Sequence, residues 1–237
     1  TFWSDFGVFG LDEVYNQQRL NDINHTNLKV VLTHTGLDVG EDGKTHQCID
    51  YIGIVRNWYG FHLIIPADPN HTDRIIRWLI DKPGNYVITM GRSALPLILK
   101  EDGTPFYSLN YDFDYGKCDI LRKGNQGTVM VSGTPIGNAL KAVDSLREEG
   151  INLQLIYVSG PLALNRETLI QAANTGVIFS IEDHNIHSGL GSIIADRLAE
   201  ENLSAHLIKI GVKNYGTSGT SIDLYKAVGL DSESIKQ

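Results

Sequence analysis

Along this chain, short runs of branched and aromatic residues alternate with longer stretches in which apolar residues return every three or four positions. The runs 28–33, 61–65, 86–90, 128–131, 153–157, 177–181 and 205–210 are apolar almost throughout, which suits strands covered on both faces. Residues 71–81 instead space Ile75, Ile76, Leu79 and Ile80 along a helical face, and residues 138–149 do the same with Leu140, Ala142, Val143 and Leu146 before a stop at Gly150. Strand and helix in alternation predict α/β units, because parallel neighbours need a crossover long enough to hold a helix.

Between Asp102 and Gly127 the pattern lapses: Gly, Asn, Asp and Tyr cluster without an apolar period, which marks a linker. Beyond it, strand and helix alternate regularly to the last strand. With 237 residues there is length for two cores. The expected fold class is therefore α/β, as two three-layer α/β domains with mainly parallel sheets, a partial unit over residues 1–116 and a second over 117–237.

Charge narrows the partners. Twenty Lys and Arg stand against 28 Asp and Glu, a net charge of −8, so any anion must be bound locally and not by a broad basic surface of the kind that grips nucleic acid. Two cysteines, Cys48 and Cys118, are too few for a disulfide framework or zinc site, and a cytoplasmic location is the expectation. The longest apolar runs fall short of the ~20 residues that cross a bilayer. The chain starts at Thr1-Phe2-Trp3 without an initiator Met or a basic leader, as though within a longer protein.

The densest polar segment is Thr33-His34-Thr35-Gly36-Leu37-Asp38-Val39-Gly40-Glu41-Asp42-Gly43-Lys44-Thr45-His46-Gln47, directly after a strong strand. Loops at the carboxyl ends of parallel strands are where α/β proteins bind ligands. Glycines let the backbone approach a ligand closely, while His34, Asp42 and His46 can donate, accept or shuttle protons. The same residues are compatible with a solvated turn or, through hard and borderline ligands, with a metal site, although no known metal spacing is present.

This run resembles the transketolase loop, in which a Thr-His pair precedes a Gly-Glu-Asp-Gly turn and Thr-His-Gln closes the segment. Pro66-Ala67-Asp68, Arg92 after a strand, Glu182-Asp183-His184 with Gly189-Leu190-Gly191-Ser192, and Gly229-Leu230-Asp231 extend the resemblance over nearly the whole sequence. It implies the latter part of a pyrimidine-binding domain followed by a transketolase C-terminal domain, and transfer of a two-carbon ketol unit between sugar phosphates.

Carried over residue by residue, the resemblance implies that His46 hydrogen-bonds the sugar near its carbonyl and that His34 helps hold the substrate phosphate. Asp42 would select a sugar hydroxyl, since a carboxylate only accepts and is left unpaired by an analogue lacking the group. Arg92 would pair with the phosphate through its planar fork of donors. It sits in Gly91-Arg92-Ser93-Ala94 where the family has Ser-Arg-Gln-Asn. Phe2 would stack on the aminopyrimidine ring of the cofactor, and Phe6 would follow by a small shift, because Asp5 occupies the family's second aromatic position. His184-Asn185-Ile186-His187 lacks a third metal ligand and reads as a polar loop capping the helix that follows.

A complete transketolase also has a diphosphate-binding domain with a Gly-Asp-Gly to Asn metal motif, which this sequence does not contain. The resemblance therefore implies thiamine diphosphate as cofactor, with a divalent cation (Mg or Ca) held by a separate N-terminal diphosphate-binding half, in a homodimer or heterotetramer. The family's activating glutamate would precede Thr1, so the chain is expected to be inactive in isolation. A 1-deoxyxylulose 5-phosphate synthase, a 2-oxoacid dehydrogenase β-type subunit and a non-catalytic assembly module are the alternatives.

Overall fold

A computed structural model describes residues 2–4 and 6–237. It contains two sheets. The first has strand order β1-β2-β4-β3, formed by β1 (Phe2–Ser4), β2 (Lys29–Leu32), β3 (Phe61–Ile64) and β4 (Asn85–Thr89), all parallel. The second has order β5-β7-β6-β8-β9, formed by β5 (Asp119–Arg122), β6 (Thr128–Ser132), β7 (Gln154–Tyr157), β8 (Val177–Asn185) and β9 (His206–Val212). Only β5 runs antiparallel among these. The α/β class with mainly parallel sheets is thus as expected, and all seven expected strands are present.

Both sheets are covered on both faces, which is why their strands read as continuous apolar runs. The helices are α1 (Tyr15–Ile23), α2 (Tyr51–Val55), α3 (Pro69–Leu79), α4 (Ile136–Glu148), α5 (Arg166–Ala173), α6 (Leu190–Glu200), α7 (Ser221–Ala227) and α8 (Ser232–Lys236). In the first sheet Val30, Leu32, Leu63 and Val87 pack with Ile52 and Val55 of α2, while Val31, Ile64 and Ile88 point the other way onto Ile75 and Leu79 of α3. In the second, Val129, Val131 and Leu155 meet Ala139 and Val143 of α4, and Met130, Ile156 and Ile178 meet Leu169 of α5 and Ile194 of α6. The period of two along each strand distributes alternate side chains between two cores.

The segment read as a linker is in part a packed strap. Tyr107 is fully buried with its ring stacked on His71 at 3.9 Å, and Phe113 is buried against Trp78. The strap then enters β5, which the apolar pattern missed because two of its four residues are charged. Asp119 accepts hydrogen bonds from the Tyr107 and Tyr111 hydroxyls, and Arg122 forks onto Asp144 of α4 at 2.7 and 2.9 Å. Buried charge is tolerated there because each group is paired.

Asp68 ties the strap's neighbour to the first sheet. Its Oδ1 accepts from His71 N at 2.7 Å as the N-cap of α3, with Pro69 next in the first turn, and its Oδ2 accepts from Ile98 N at 2.8 Å. Asp68→Ala removes a cap, about 1 kcal/mol, and leaves a buried amide without an acceptor, about 1–3 kcal/mol. Chemical denaturation is expected to show a combined loss of roughly 2–4 kcal/mol, with Asp68→Asn, which keeps one acceptor, losing less.

Candidate functional site

The chain leaves β2 at the carboxyl edge of the first sheet and enters a 3-10 turn, Gly36–Asp42. His34, just before it, has φ 59°, a left-handed conformation that costs a β-carbon-bearing residue energy and that clusters at functional sites. The loop then returns to the same place: Gly36 N donates to Cys48 O at 2.8 Å. This closure brings His34 and His46 around one aromatic side chain. The Phe6 ring lies 4.6 Å from the His34 ring and 5.0 Å from the His46 ring, and Phe9 meets His46 edge-on at 5.4 Å. Phe9 belongs to a π-helical turn, Phe9–Glu13, and its ring is partly exposed.

Each histidine is oriented by the threonine before it. Thr33 Oγ1 lies 2.8 Å from His34 Nδ1, and Thr45 Oγ1 lies 2.9 Å from His46 Nδ1. With Nδ1 engaged in both rings, Nε2 is the nitrogen each offers to a ligand. Two imidazoles and two phenyl rings, half-buried together, provide a flat apolar edge with two proton-transferring atoms. An aromatic heterocycle bearing a polar reacting group matches that surface.

Arg92 lies on the other side of the turn. Its Nη1 donates to Val39 O at 3.0 Å and to Glu41 Oε2 at 2.8 Å. The Glu41 carboxyl is held below its ordinary value by a hydrogen bond from its own backbone and then by Arg92. Among the described residues only Nη1 of this guanidinium is engaged, so its remaining donors are open to an anion. Asp42 is exposed at the end of the turn, outside the ring cluster. The side chain of Phe2 lies outside the described residues. Among the described residues no group of three His, Cys, Asp or Glu side chains is placed to hold a metal ion, and no helix is long and apolar enough to cross a membrane.

Behind the loop, the second sheet contributes a buried acidic pair. Glu182 caps α6, its carboxylate oxygens accepting from Leu190 N at 2.6 Å and Gly191 N at 2.9 Å. Asp183 accepts from the Thr134 hydroxyl at 2.7 Å and from the Tyr225 hydroxyl at 3.3 Å. Burial pushes both carboxyls up to about 7, against their hydrogen bonds. A β-carbon on Gly36, whose φ is 77°, would fall 1.8 Å from Asp183 Oδ2, so only glycine lets the loop lie against this acid. The capping of the following helix, expected of the 184–187 segment, is done by Glu182 instead, and His184 accepts from Ile52 N of α2. Asp183 also borders a 340 Å³ cavity shared with Thr35, Tyr51, Thr89 and Met90, which has no cationic side chain in its wall.

Residues 2–97 match the family model for the transketolase pyrimidine-binding domain, and residues 116–235 match that for the transketolase C-terminal domain. The chain belongs to the transketolase family. It is 32% identical over 212 residues to a Methanocaldococcus jannaschii protein named "Putative transketolase C-terminal section", covering 88% of this chain and 64% of that one. It is 29% identical over 210 residues to one subunit of the apulose-4-phosphate transketolase of Phocaeicola vulgatus, covering 88% of this chain and 65% of that protein. The chain thus spans just under two thirds of the length of these relatives. A solved structure described as a split-gene transketolase in an inactive beta4 tetramer superposes with a TM-score of 0.85 at 26% identity, over 99% of this chain and 73% of that one.

Sequence reasoning did not find Glu41 as the partner of Arg92, nor the contact of Asp183 and His184 with the histidine loop. The signal available was the Glu-Asp-His run at the end of a strand, where parallel sheets place ligand-facing groups.

Two outcomes are expected. His34→Gly is expected to be more stable than His34→Ala by about 1 kcal/mol in denaturant melts, since both lose the ring but only alanine keeps the left-handed strain. Asp183 has a native value above its unfolded one, so its contribution is present below pH 3.8 and is lost as pH rises through about 7. Asp183→Asn is therefore expected to gain stability relative to the parent between pH 4 and pH 8, by at most about 4 kcal/mol, as read from paired unfolding curves.

Proposed function

We propose that this chain is the substrate-facing part of a thiamine-diphosphate-dependent transketolase, acting with a diphosphate-binding half that is a separate polypeptide. The observation that carries the reading is the joining of His34, Phe6 and His46 at the carboxyl end of β2. The thiamine family of the chain and its similarity to proteins named as a C-terminal section and as one subunit of a transketolase support it. The division at residues 116 and 117 belongs to the same reading, as do assembly into a homodimer or heterotetramer and a cytoplasmic setting.

The bound cofactor supplies the electron sink for cleavage beside the donor carbonyl. This chain's own residues then hold and orient. Phe6 and Phe9 would cover the flat pyrimidine ring. His46 Nε2 faces the sugar carbonyl and the neighbouring hydroxyl, where it can donate or take a proton. His34 and Arg92 hold the phosphate of a sugar phosphate, and Asp42 accepts from a sugar hydroxyl. The divalent cation, Mg or Ca, is held with the diphosphate by the partner half. A preorganised donor at a developing charge contributes on the order of 10²-fold in rate, which sets the scale for His46.

The test is reconstitution. A full-length version of this half, carrying the activating glutamate, mixed with a diphosphate-binding half, thiamine diphosphate and Mg is expected to transfer a ketol unit from a ketose phosphate to an aldose phosphate, and product analysis separates this from decarboxylating relatives. Cofactor binding without any turnover would favour the assembly module. In the same system Arg92→Ala is expected to raise KM for phosphorylated acceptors by about tenfold or more, on the scale of a charge-assisted hydrogen bond, with unphosphorylated acceptors nearly unaffected. Equal weakening of both acceptor classes would remove Arg92 from phosphate recognition.

A further inference from the structure

The helix that ends the histidine loop is short and lacks its own cap. α2 spans Tyr51–Val55, and the side chain of its N-cap residue, Asp50, makes no capping hydrogen bond. The first amides of a helix have no intrahelical acceptor, and left bare they fray or cost stability. Here the acceptor comes from the other domain: Ile52 N donates to His184 Nε2 at 3.0 Å. The second ring nitrogen fixes the arrangement, since Nδ1 lies 2.9 Å from Asn185 O and carries the proton that this carbonyl accepts. Nε2 is left as an acceptor by the same bond. Burial lowers His184 to about 4, with the Asn185 and Asp50 carbonyls pulling the other way, so the ring is neutral at ordinary pH.

His184 is the centre of a wider seam. Asn185 N donates to Ile49 O at 2.7 Å, and Gln47 Nε2 donates to Thr217 O at 3.0 Å. Ser221 Oγ donates to Asp38 O at 3.2 Å. The Tyr51 ring stands edge-on to His184 at 5.0 Å. Gly53 allows the approach, because a β-carbon there would lie 2.6 Å from Ser188 Oγ and 2.7 Å from Ser188 Cβ. Every one of these contacts joins the segment between Asp38 and Gly53 to the C-terminal domain. That segment contains His46 and closes onto Gly36, two residues from His34.

We infer that His184 is a positioning residue, capping α2 from the C-terminal domain so that the loop presents His34 and His46 to substrate in one fixed arrangement. The C-terminal domain thereby acts on ketol transfer without touching the reacting atoms. The inference rests on the proposed function for its catalytic consequence, but the clamp itself can be measured on the chain alone.

The decisive experiment is amide hydrogen exchange on the full chain with three variants. His184→Phe keeps the ring's bulk and loses the acceptor, His184→Gln places a carbonyl acceptor near the position of Nε2, and Gly53→Ala pushes α2 away from Ser188. Amides of residues 35–53 are expected to exchange about tenfold faster in His184→Phe and Gly53→Ala, with those of β6 to β8 unchanged and with protection recovered in His184→Gln. In the reconstituted enzyme the two loosened variants are expected to lose about tenfold or more in kcat, with thiamine diphosphate affinity retained and activity recovered in His184→Gln. Exchange that is unchanged, or that rises evenly over both sheets, would overturn the clamp. A loosened loop with full kcat would overturn its positioning role. Absence of transfer by the full-length parent half with its partner half would instead count against the proposed function, while the exchange data still decide the clamp.

Discussion

The loop after β2 is fixed against the carboxyl edge of the second sheet, and the rest of the site depends on that contact. Its sequence is rich in glycine and polar residues, and its few apolar side chains are buried, Leu37 and Ile49 in one core with Val129 and Val131 of the second sheet. Its order comes from hydrogen bonds to the second sheet's end and from the fit of Gly36 against Asp183. The ring cluster and the position of Arg92 both follow from that fixed turn. The two sheets therefore share the histidine loop as a common element between them.

The seam is also where the protein concentrates its unfavourable electrostatics. Asp183 is buried with Asp38 near enough to raise its pKa further, and Glu182 beside it is buried as well. Uncompensated acids in a low-dielectric site are costly, and here the cost is reduced chiefly by hydroxyl and amide donors, with Lys209 adding to them at Glu182. Those donors lie in the C-terminal domain and fix the acids against which Gly36 of the loop packs. Strain at His34 fits the same pattern, a locally unfavourable conformation maintained because its surroundings leave no alternative.

The hydrophobic framework is simpler. Alternate residues of each strand fill opposite cores, and the helices close both faces, so the architecture depends on period and volume more than on particular side chains. Where the framework departs from that rule, an ion pair and hydroxyl hydrogen bonds explain it. The β5 edge strand carries Asp119 and Arg122, each satisfied by a partner from a separate element.

The sequence by itself determined the α/β class, seven of the strands and the presence of two sheets, because a strand buried on both faces must be apolar along its whole length. It also picked out His34 and His46, since a histidine-rich polar loop after a strand is a local feature. It did not determine β1, or β5 with its charged ends, because pairing of short strands depends on neighbours distant in the chain. Nor did it reveal that Glu41 engages Arg92, that Glu182 rather than the 184–187 segment caps α6, or that His184 caps a helix of the other domain. The contacts of Arg92 and His184 link residues far apart in sequence, Glu41 and Arg92 by 51 positions and His184 and Ile52 by 132. Hydrogen bonds of that kind leave no periodicity to read; tertiary packing decides them, and the docking of the C-terminal domain on α2 decides the one His184 makes.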